Sequence, residues 1–390
     1  ALEILHLVAG VSYYKAGLCQ KFEFHNPAAA QAAGDFLQTL YVEGLAEFAW
    51  VNELDIESRI RFPQPQVANA AVATQLDHPE RALLALGGGK DSLVGLELMR
   101  CAGVECTPVF AGNSPLVDEA AATAGLPLLR FGRRIAPELI EMNKAGAWNG
   151  HVPVTAINSA ICLCAAILYG YKYIVFSNER SADQATLITP DGKAVNHQYS
   201  KGSAFEAAFR QLIAGQVSPD IEYFSIVRPY SELGIVKEFS GLEQFHGIYS
   251  SCNRNFHIEG SRIEGRWCGE CPKCRFAALS LALYLPPSRV RQIIGRDLLD
   301  EADQAVGFRA LCARGRDKPF ECVGESGESR AAMRELAHLP EWSDHAVVKS
   351  LQAELEGVQI PDMESLLEPS GRHFIPRHLA AAIGLSEEAP

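Results

Sequence analysis

With 390 residues, 48% of them hydrophobic and 21% charged, the chain has the composition of a soluble globular protein and the length for about two domains, or one large domain with additions. Its formal net charge of -12 weighs against a general nucleic-acid binder, and no apolar run reaches the length of a membrane span. Eleven cysteines without a secretory leader argue for reduced thiols and metal binding in a cytoplasmic setting, not for a disulfide framework.

Residues 1–20 read as helix, with Leu2, Leu5, Val8 and Val11 near helical spacing. The pattern is already running at Ala1, as in a chain trimmed at its N-terminus. Lys21 to Phe24 is a strand candidate. Pro27 opens an alanine-rich helix to about Trp50, with Leu37, Leu40, Val42, Leu45 and Phe48 as its apolar positions. Pro63 and Pro65 mark 61–80 as a linker, so 1–80 forms a mainly helical N-terminal region.

Arg81 to Leu86 is an apolar run short enough for a strand. Gly87, Gly88 and Gly89 let the backbone turn sharply and approach a ligand. Lys90, Asp91 and Ser92 then open a helix carrying Leu93, Leu96 and Met99. Free N–H groups and the helix dipole make such a turn an anion site, to which Lys90 adds a point charge. The spacing is neither a Walker A loop nor Gly-x-Gly-x-x-Gly. It resembles the Gly-Gly-x-Asp-Ser loop of the ATP pyrophosphatases, which adenylate a substrate and release pyrophosphate.

The next strand is Glu105 to Phe110, followed by a helix from Pro115 over Val117 to Ala124. Leu126 to Phe131 reads as a third strand, Pro137 to Met142 as a helix, Pro153 to Leu168 as a long buried helix and Tyr173 to Phe176 as a fourth strand. Alternating strands and helices imply parallel crossovers, hence an α/β, doubly wound, mostly parallel sheet over 81–285. Ligands of such sheets bind beyond the carboxyl ends of the strands, where Gly87, Gly112-Asn113 and Ser177-Asn178-Glu179 would meet. From Pro286-Pro287 onward, 286–390 reads as a mainly helical C-terminal region.

Cys252 precedes Cys268-Gly269-Glu270-Cys271-Pro272-Lys273-Cys274, four thiolates suited to a closed, structural zinc site inserted in the sheet domain. An iron–sulfur cluster is the alternative occupant. Cys101, Cys162 and Cys164 sit in apolar surroundings and read as buried free thiols. After the fourth strand, Glu179 or Asp183 is suited to magnesium or an ammonium group, and Arg180 to a carboxylate or phosphate. Asn196-His197-Gln198-Tyr199-Ser200-Lys201 is denser in polar groups than a turn requires, which makes His197 a candidate acid or base and Lys201 an anion binder. His151 with Asn149, Arg254 with His257, and Cys322 with Glu325 are further candidates, each with an ordinary structural reading beside it.

Together these segments carry a specific resemblance. Val8 to Lys15, Gly87 to Ser92, Gly146-Ala147-Trp148-Asn149-Gly150-His151, Phe176 to Ser181, Asn196-His197-Gln198, Ser251 to His257 and Trp267 to Cys274 look like the bacterial UDP-N-acetylmuramoyl-L-alanyl-L-glutamate epimerases. The resemblance implies an adenine nucleotide alpha hydrolase-like fold. It also implies a cytoplasmic, ATP- and magnesium-dependent inversion of the terminal L-glutamate of a UDP-linked muramoyl dipeptide in cell-wall synthesis, giving AMP and pyrophosphate, with neither nucleic acid nor membrane as partner. Carried onto this chain, Gly87, Gly88, Gly89, Lys90, Asp91, Ser92, Ser177, Asn178 and Glu179 would bind the nucleotide. Asp91 and Glu179 would place magnesium, and Lys90 would stabilise the transferring charge. Arg180, Lys201 or Arg254 would hold a carboxylate or diphosphate, and His197 and His151 would move the α-proton. Other adenylating enzymes with this loop, of the deazaguanine nitrile synthase or tRNA thiolase type, and a non-catalytic nucleotide sensor are the rival readings.

Overall fold

The computed structural model describes residues 1–64, 73–255, 265–314, 321 and 323–385. His257 and Cys322 lie outside them.

Five parallel strands form the central sheet: β1 (Arg81–Ala85), β2 (Glu105–Ala111), β3 (Leu129–Phe131), β4 (Tyr173–Phe176) and β7 (Glu222–Ser225), in the order β3-β2-β1-β4-β7. Two further strands, β5 (Leu187–Ile188) and β6 (Ala194–Val195), form a small antiparallel hairpin. In β1, Leu83 pairs with Thr107 of β2 on one side and Ile174 of β4 on the other. The chain therefore runs outward from β1 in both directions, and the crevice opens where the order reverses.

Residues alternate across the pleat. Ala82, Leu84, Tyr173, Val175 and Phe224 point into one core, which they share with the helices Lys90–Cys101, Glu232–Ser240 and Pro272–Leu281 and with the C-terminal helices. Leu83, Ile174, Phe176 and Tyr223 point into the other, shared with the N-terminal helices and with Val154–Tyr169 and Ser203–Gln216. Both faces of the sheet are covered, as an all-parallel sheet requires. No helix among the described residues is long and apolar enough to cross a membrane.

Several expectations need correction. Lys21 to Phe24 is not a strand: Phe22 and Phe24 stack 6.0 Å apart, and both pack on Phe62, so their alternation serves an aromatic cluster rather than a ladder. The long helix from Pro27 is three, Pro27–Ala32, Gly34–Gly44 and Ala46–Val51, interrupted at Ala33 and Leu45 by residues near φ -103 and -106. The first expected helix is likewise divided, into Leu2–Ala9 and Val11–Gly17. The third strand is short because Leu126 and Leu128 pack against a core without joining the ladder. Strand β7 and the separate hairpin were not anticipated, and Cys101, expected to be buried like Cys162 and Cys164, is exposed at the end of the helix Lys90–Cys101.

Candidate active site

The carboxyl ends of β1, β2 and β4 open into a cleft of about 360 Å³. Gly87, Gly89, Asp91 and Ser92 form its floor, and Ser177 and Asn178 one side. Apolar surface comes from Val109, Phe110, Ile161 and Cys162. Gly88 holds φ +76, and a Cβ there would meet Leu116 Cδ2 at 2.4 Å, so the turn demands glycine. Ser92 braces it: its hydroxyl accepts from Gly87 N at 3.2 Å and donates to Gly89 O at 3.0 Å. Gly95 lets the following helix close on β4, since a Cβ would lie 2.3 Å from Ser177 Oγ. That hydroxyl is buried and has no hydrogen-bond partner among the described residues, an acceptor or donor left for a ligand.

Lys90 turns away from this cleft. Its ammonium lies 2.5 Å from Asp91 Oδ1 and in contact with Glu232, in a second depression of about 100 Å³ lined also by Glu179, Lys201 and Lys273. Burial disfavours the charged amine, but the two carboxylates outweigh it and hold Lys90 above the ordinary lysine range. Burial pushes the Glu232 carboxyl up to about 8 against the pull of Lys90, with Asp91 and Glu179 adding to the rise. Glu232 arrives there because Ser231 caps its helix, accepting from Gly234 N at 3.0 Å.

A third depression, of about 250 Å³, holds His151, His197, Gln198 and Lys201. The two imidazoles lie edge to face with centroids 6.1 Å apart. His197 Nδ1 is 2.7 Å from Thr186 Oγ1, on the strand side of the hairpin. Burial, then the nearby charges of His197 and Lys201, push His151 down to about 4, so it is a neutral imidazole at neutral pH. Glu47, from the N-terminal helices, faces it at 3.7 Å from Nδ1, and burial raises the Glu47 carboxyl although His197 opposes the rise. Gln198 Oε1 is buried without a partner among the described residues. Lys201 lines all three depressions and is the one side chain common to them.

A buried ion pair sets these loops. Arg228 Nη2 lies 2.9 Å from Glu206 Oε2, while its guanidinium donates to Glu179 O at 2.8 Å and Lys201 O at 2.5 Å. Ser225, ending β7, donates to Asn178 O at 2.7 Å and accepts from Asn178 N at 2.8 Å. Lys15, also buried, donates to Asn149 and anchors the segment before His151.

Other candidates are occupied elsewhere. Arg180 donates to Ser370 and to Leu366 O at 3.4 Å, tying down the C-terminal segment rather than lining a cleft. Asp183 Oδ1 accepts from Ser203 N at 2.6 Å and serves the start of a helix. Arg254 is paired with Glu270 on the surface. Glu325 caps the helix Ser326–His338 in a reciprocal capping box with Glu328. Glu47, Glu206, Arg228, Glu232 and Lys273 are the site residues the sequence reading passed over. Only the density of charge around Glu232 offered a signal.

Cys252, Cys268, Cys271 and Cys274 come together with all sulfurs within 4.8 Å of one another. Cys268 and Cys274 are 3.7 Å apart, close to the roughly 3.8 Å edge of a tetrahedron with zinc–sulfur bonds of about 2.3 Å. Four thiolates at this spacing need a cation between them, so the donor set fits zinc. Among the described residues it is the one group of three or more His, Cys, Asp or Glu so gathered.

Residues 1–226 match the model of the MurL N-terminal domain and residues 248–365 that of the MurL C-terminal domain. The chain is 47% identical over 379 residues to the UDP-N-acetyl-alpha-D-muramoyl-L-alanyl-L-glutamate epimerase of Xanthomonas oryzae pv. oryzae, covering 96% of this chain and 84% of that protein. It is 38% identical to the proteins of the same name from Salinispora tropica, over 100% of this chain and 85% of that one, and from Micromonospora sp., over 98% and 85%.

Proposed function

The chain belongs to the MurL family, and from that premise we propose that it is an ATP-dependent epimerase. Its substrate would be UDP-N-acetylmuramoyl-L-alanyl-L-glutamate, inverted at the terminal glutamate through an acyl-adenylate. The fold would then be that of the adenine nucleotide alpha hydrolases. The observation that carries the reading is the position of Lys201, common to the glycine-loop cleft, the carboxylate depression and the histidine pair. A carboxylate activated at the first would keep its α-carbon within reach of the third.

The chemistry would explain why ATP is needed for an inversion that is not uphill. Removing an α-proton beside a free carboxylate would put a second negative charge on one group. Adenylation neutralises the carboxylate first, and the anhydride can then delocalise charge as an enolate. The apolar wall of Phe110 and Ile161 suits a flat base, and Gly87 to Ser92 suit the phosphates. Magnesium, when bound, would neutralise phosphate charge. Asp91 and Glu179 would supply oxygens for it together with the phosphates, since one or two carboxylates suffice for this ion. Lys201 would orient the glutamyl carboxylate. His151, neutral at neutral pH, is suited to take a proton, and His197 to return one from the other face. Zinc would be structural, since four thiolates leave no open position.

The test is incubation in deuterated water with ATP, magnesium and the precursor. AMP together with one deuterium at the glutamyl α-carbon is the expected result. AMP without deuterium would reassign the chain to another adenylating chemistry.

A further inference from the structure

Two features of the cysteine knuckle point toward the nucleotide cleft rather than away from it. On its Cys252 side, Ser250 N donates to Gly88 O at 3.3 Å, and Ser250 Oγ accepts from Cys252 N at 3.1 Å. The glycine loop and the first cysteine are therefore joined through one residue. On the other side, Cys271 is the N-cap of the helix Pro272–Leu281, and proline at the first helical position fixes its direction. Lys273 follows, between two cysteines of the cluster, and lines both the glycine-loop cleft and the carboxylate depression. Lys90 and Arg228 are consumed by Glu232 and Glu206. Lys273 differs: it forms no ion pair or hydrogen bond among the described residues.

We propose that the cysteine knuckle is the second jaw of the phosphate site, and that Lys273 is its binding residue, facing the glycine loop across the cleft to hold the pyrophosphate portion of the nucleotide. This rests on the nucleotide reading above but extends it. The metal site then has a task besides holding the fold: it sets the span between the ammonium of Lys273 and the N–H groups of Gly87 to Ser92. An ammonium on a four-carbon stem is a point charge that can follow a polyphosphate as it leaves.

The experiment is calorimetric titration of the zinc-loaded full chain with inorganic pyrophosphate, ATP and adenosine, for the parent, Lys273→Met and Lys273→Arg. Zinc content and melting temperature are measured on each. The expected result is a loss of roughly tenfold or more in pyrophosphate and ATP affinity in Lys273→Met, little change for adenosine, unchanged zinc content, and partial recovery in Lys273→Arg. Pyrophosphate affinity in Lys273→Met within about twofold of the parent, at full zinc content, overturns the proposal, as does a parent that binds no pyrophosphate. Should Lys273→Met lose zinc, Lys273→Gln replaces it under the same criteria. Lys273-dependent pyrophosphate binding without AMP formation keeps this proposal while removing the adenylation reading. AMP formation with Lys273-independent binding does the reverse.

Discussion

Arg228 and Glu206 form a salt bridge at 2.9 Å with each side chain 2% exposed, and through it the backbones at Glu179 and Lys201 are held on one guanidinium. Asn196, donating to Ala182 O at 2.9 Å, joins the same two loops, and Glu179 and Lys201 both line the carboxylate depression. The pair also receives Ser225 N at Glu206 Oε1, 2.9 Å away, which fixes the end of β7.

Arg228→Met should therefore cost about 3–5 kcal/mol in denaturant unfolding, because it strands a buried carboxylate. The double variant Arg228→Met with Glu206→Leu should regain much of that stability without regaining turnover. A double variant with parental kcat would show that the pair only stabilises the fold.

The Lys90–Glu232 pair makes a related prediction in the site itself. Lys90 and Glu232 side chains are 14% and 5% exposed. Lys90→Met should destabilise by about 3 kcal/mol, and adding Glu232→Leu should return part of the loss, since the second change removes an unpaired buried group. Strictly additive effects in urea titrations would mean that the contact carries no coupling.

His151 should leave a signature in stability against pH. Its native value near 4 lies below the unfolded value of 6.5, so between those values the unfolded chain binds more protons. Stability should fall as pH drops from about 6.5 toward 4, and His151→Asn should flatten that part of the curve. Melting temperatures across the window check this; identical slopes in parent and variant would count against a buried neutral imidazole. The same variant should lose α-proton exchange while still binding ATP.

Cys271→Ser should abolish stoichiometric zinc by elemental analysis and lower the melting temperature sharply. A structural zinc can hold roughly 10–16 kcal/mol of folding free energy at neutral pH. A soluble variant that keeps one zinc per chain would show that three cysteines suffice.

Much of the site was written in short segments. The glycine turn, the four cysteines and the polar run around His197 are local patterns, visible because adjacent residues alone decide whether a turn, a ligand spacing or a helix start is feasible. Strands β1, β2 and β4 were legible for the same reason: each is a continuous run suited to burial on both faces. Strand β7 was not, because Glu222 and Ser225 leave only Tyr223-Phe224 apolar where β4, of the same length, is apolar throughout, and β7 gains its ladder from β4. The breaks of the Pro27 helix at Ala33 and Leu45 lie beside Gly34 and Gly44, poor helix formers whose signal the surrounding alanine-rich run masks.

The sequence by itself determined which groups were on hand: a glycine turn at a helix start, four spaced cysteines, imidazoles and lysines. Only the tertiary structure decided how they are allotted. It turned Lys90 onto Glu232, gave Arg180 to the C-terminal segment, brought Glu47 to His151 from the N-terminal helices, and left Lys201 and Lys273 at the clefts. The reason is physical. A side chain's type and its near neighbours follow from covalent order, whereas the partner that satisfies a buried charge is chosen by which distant elements close over it.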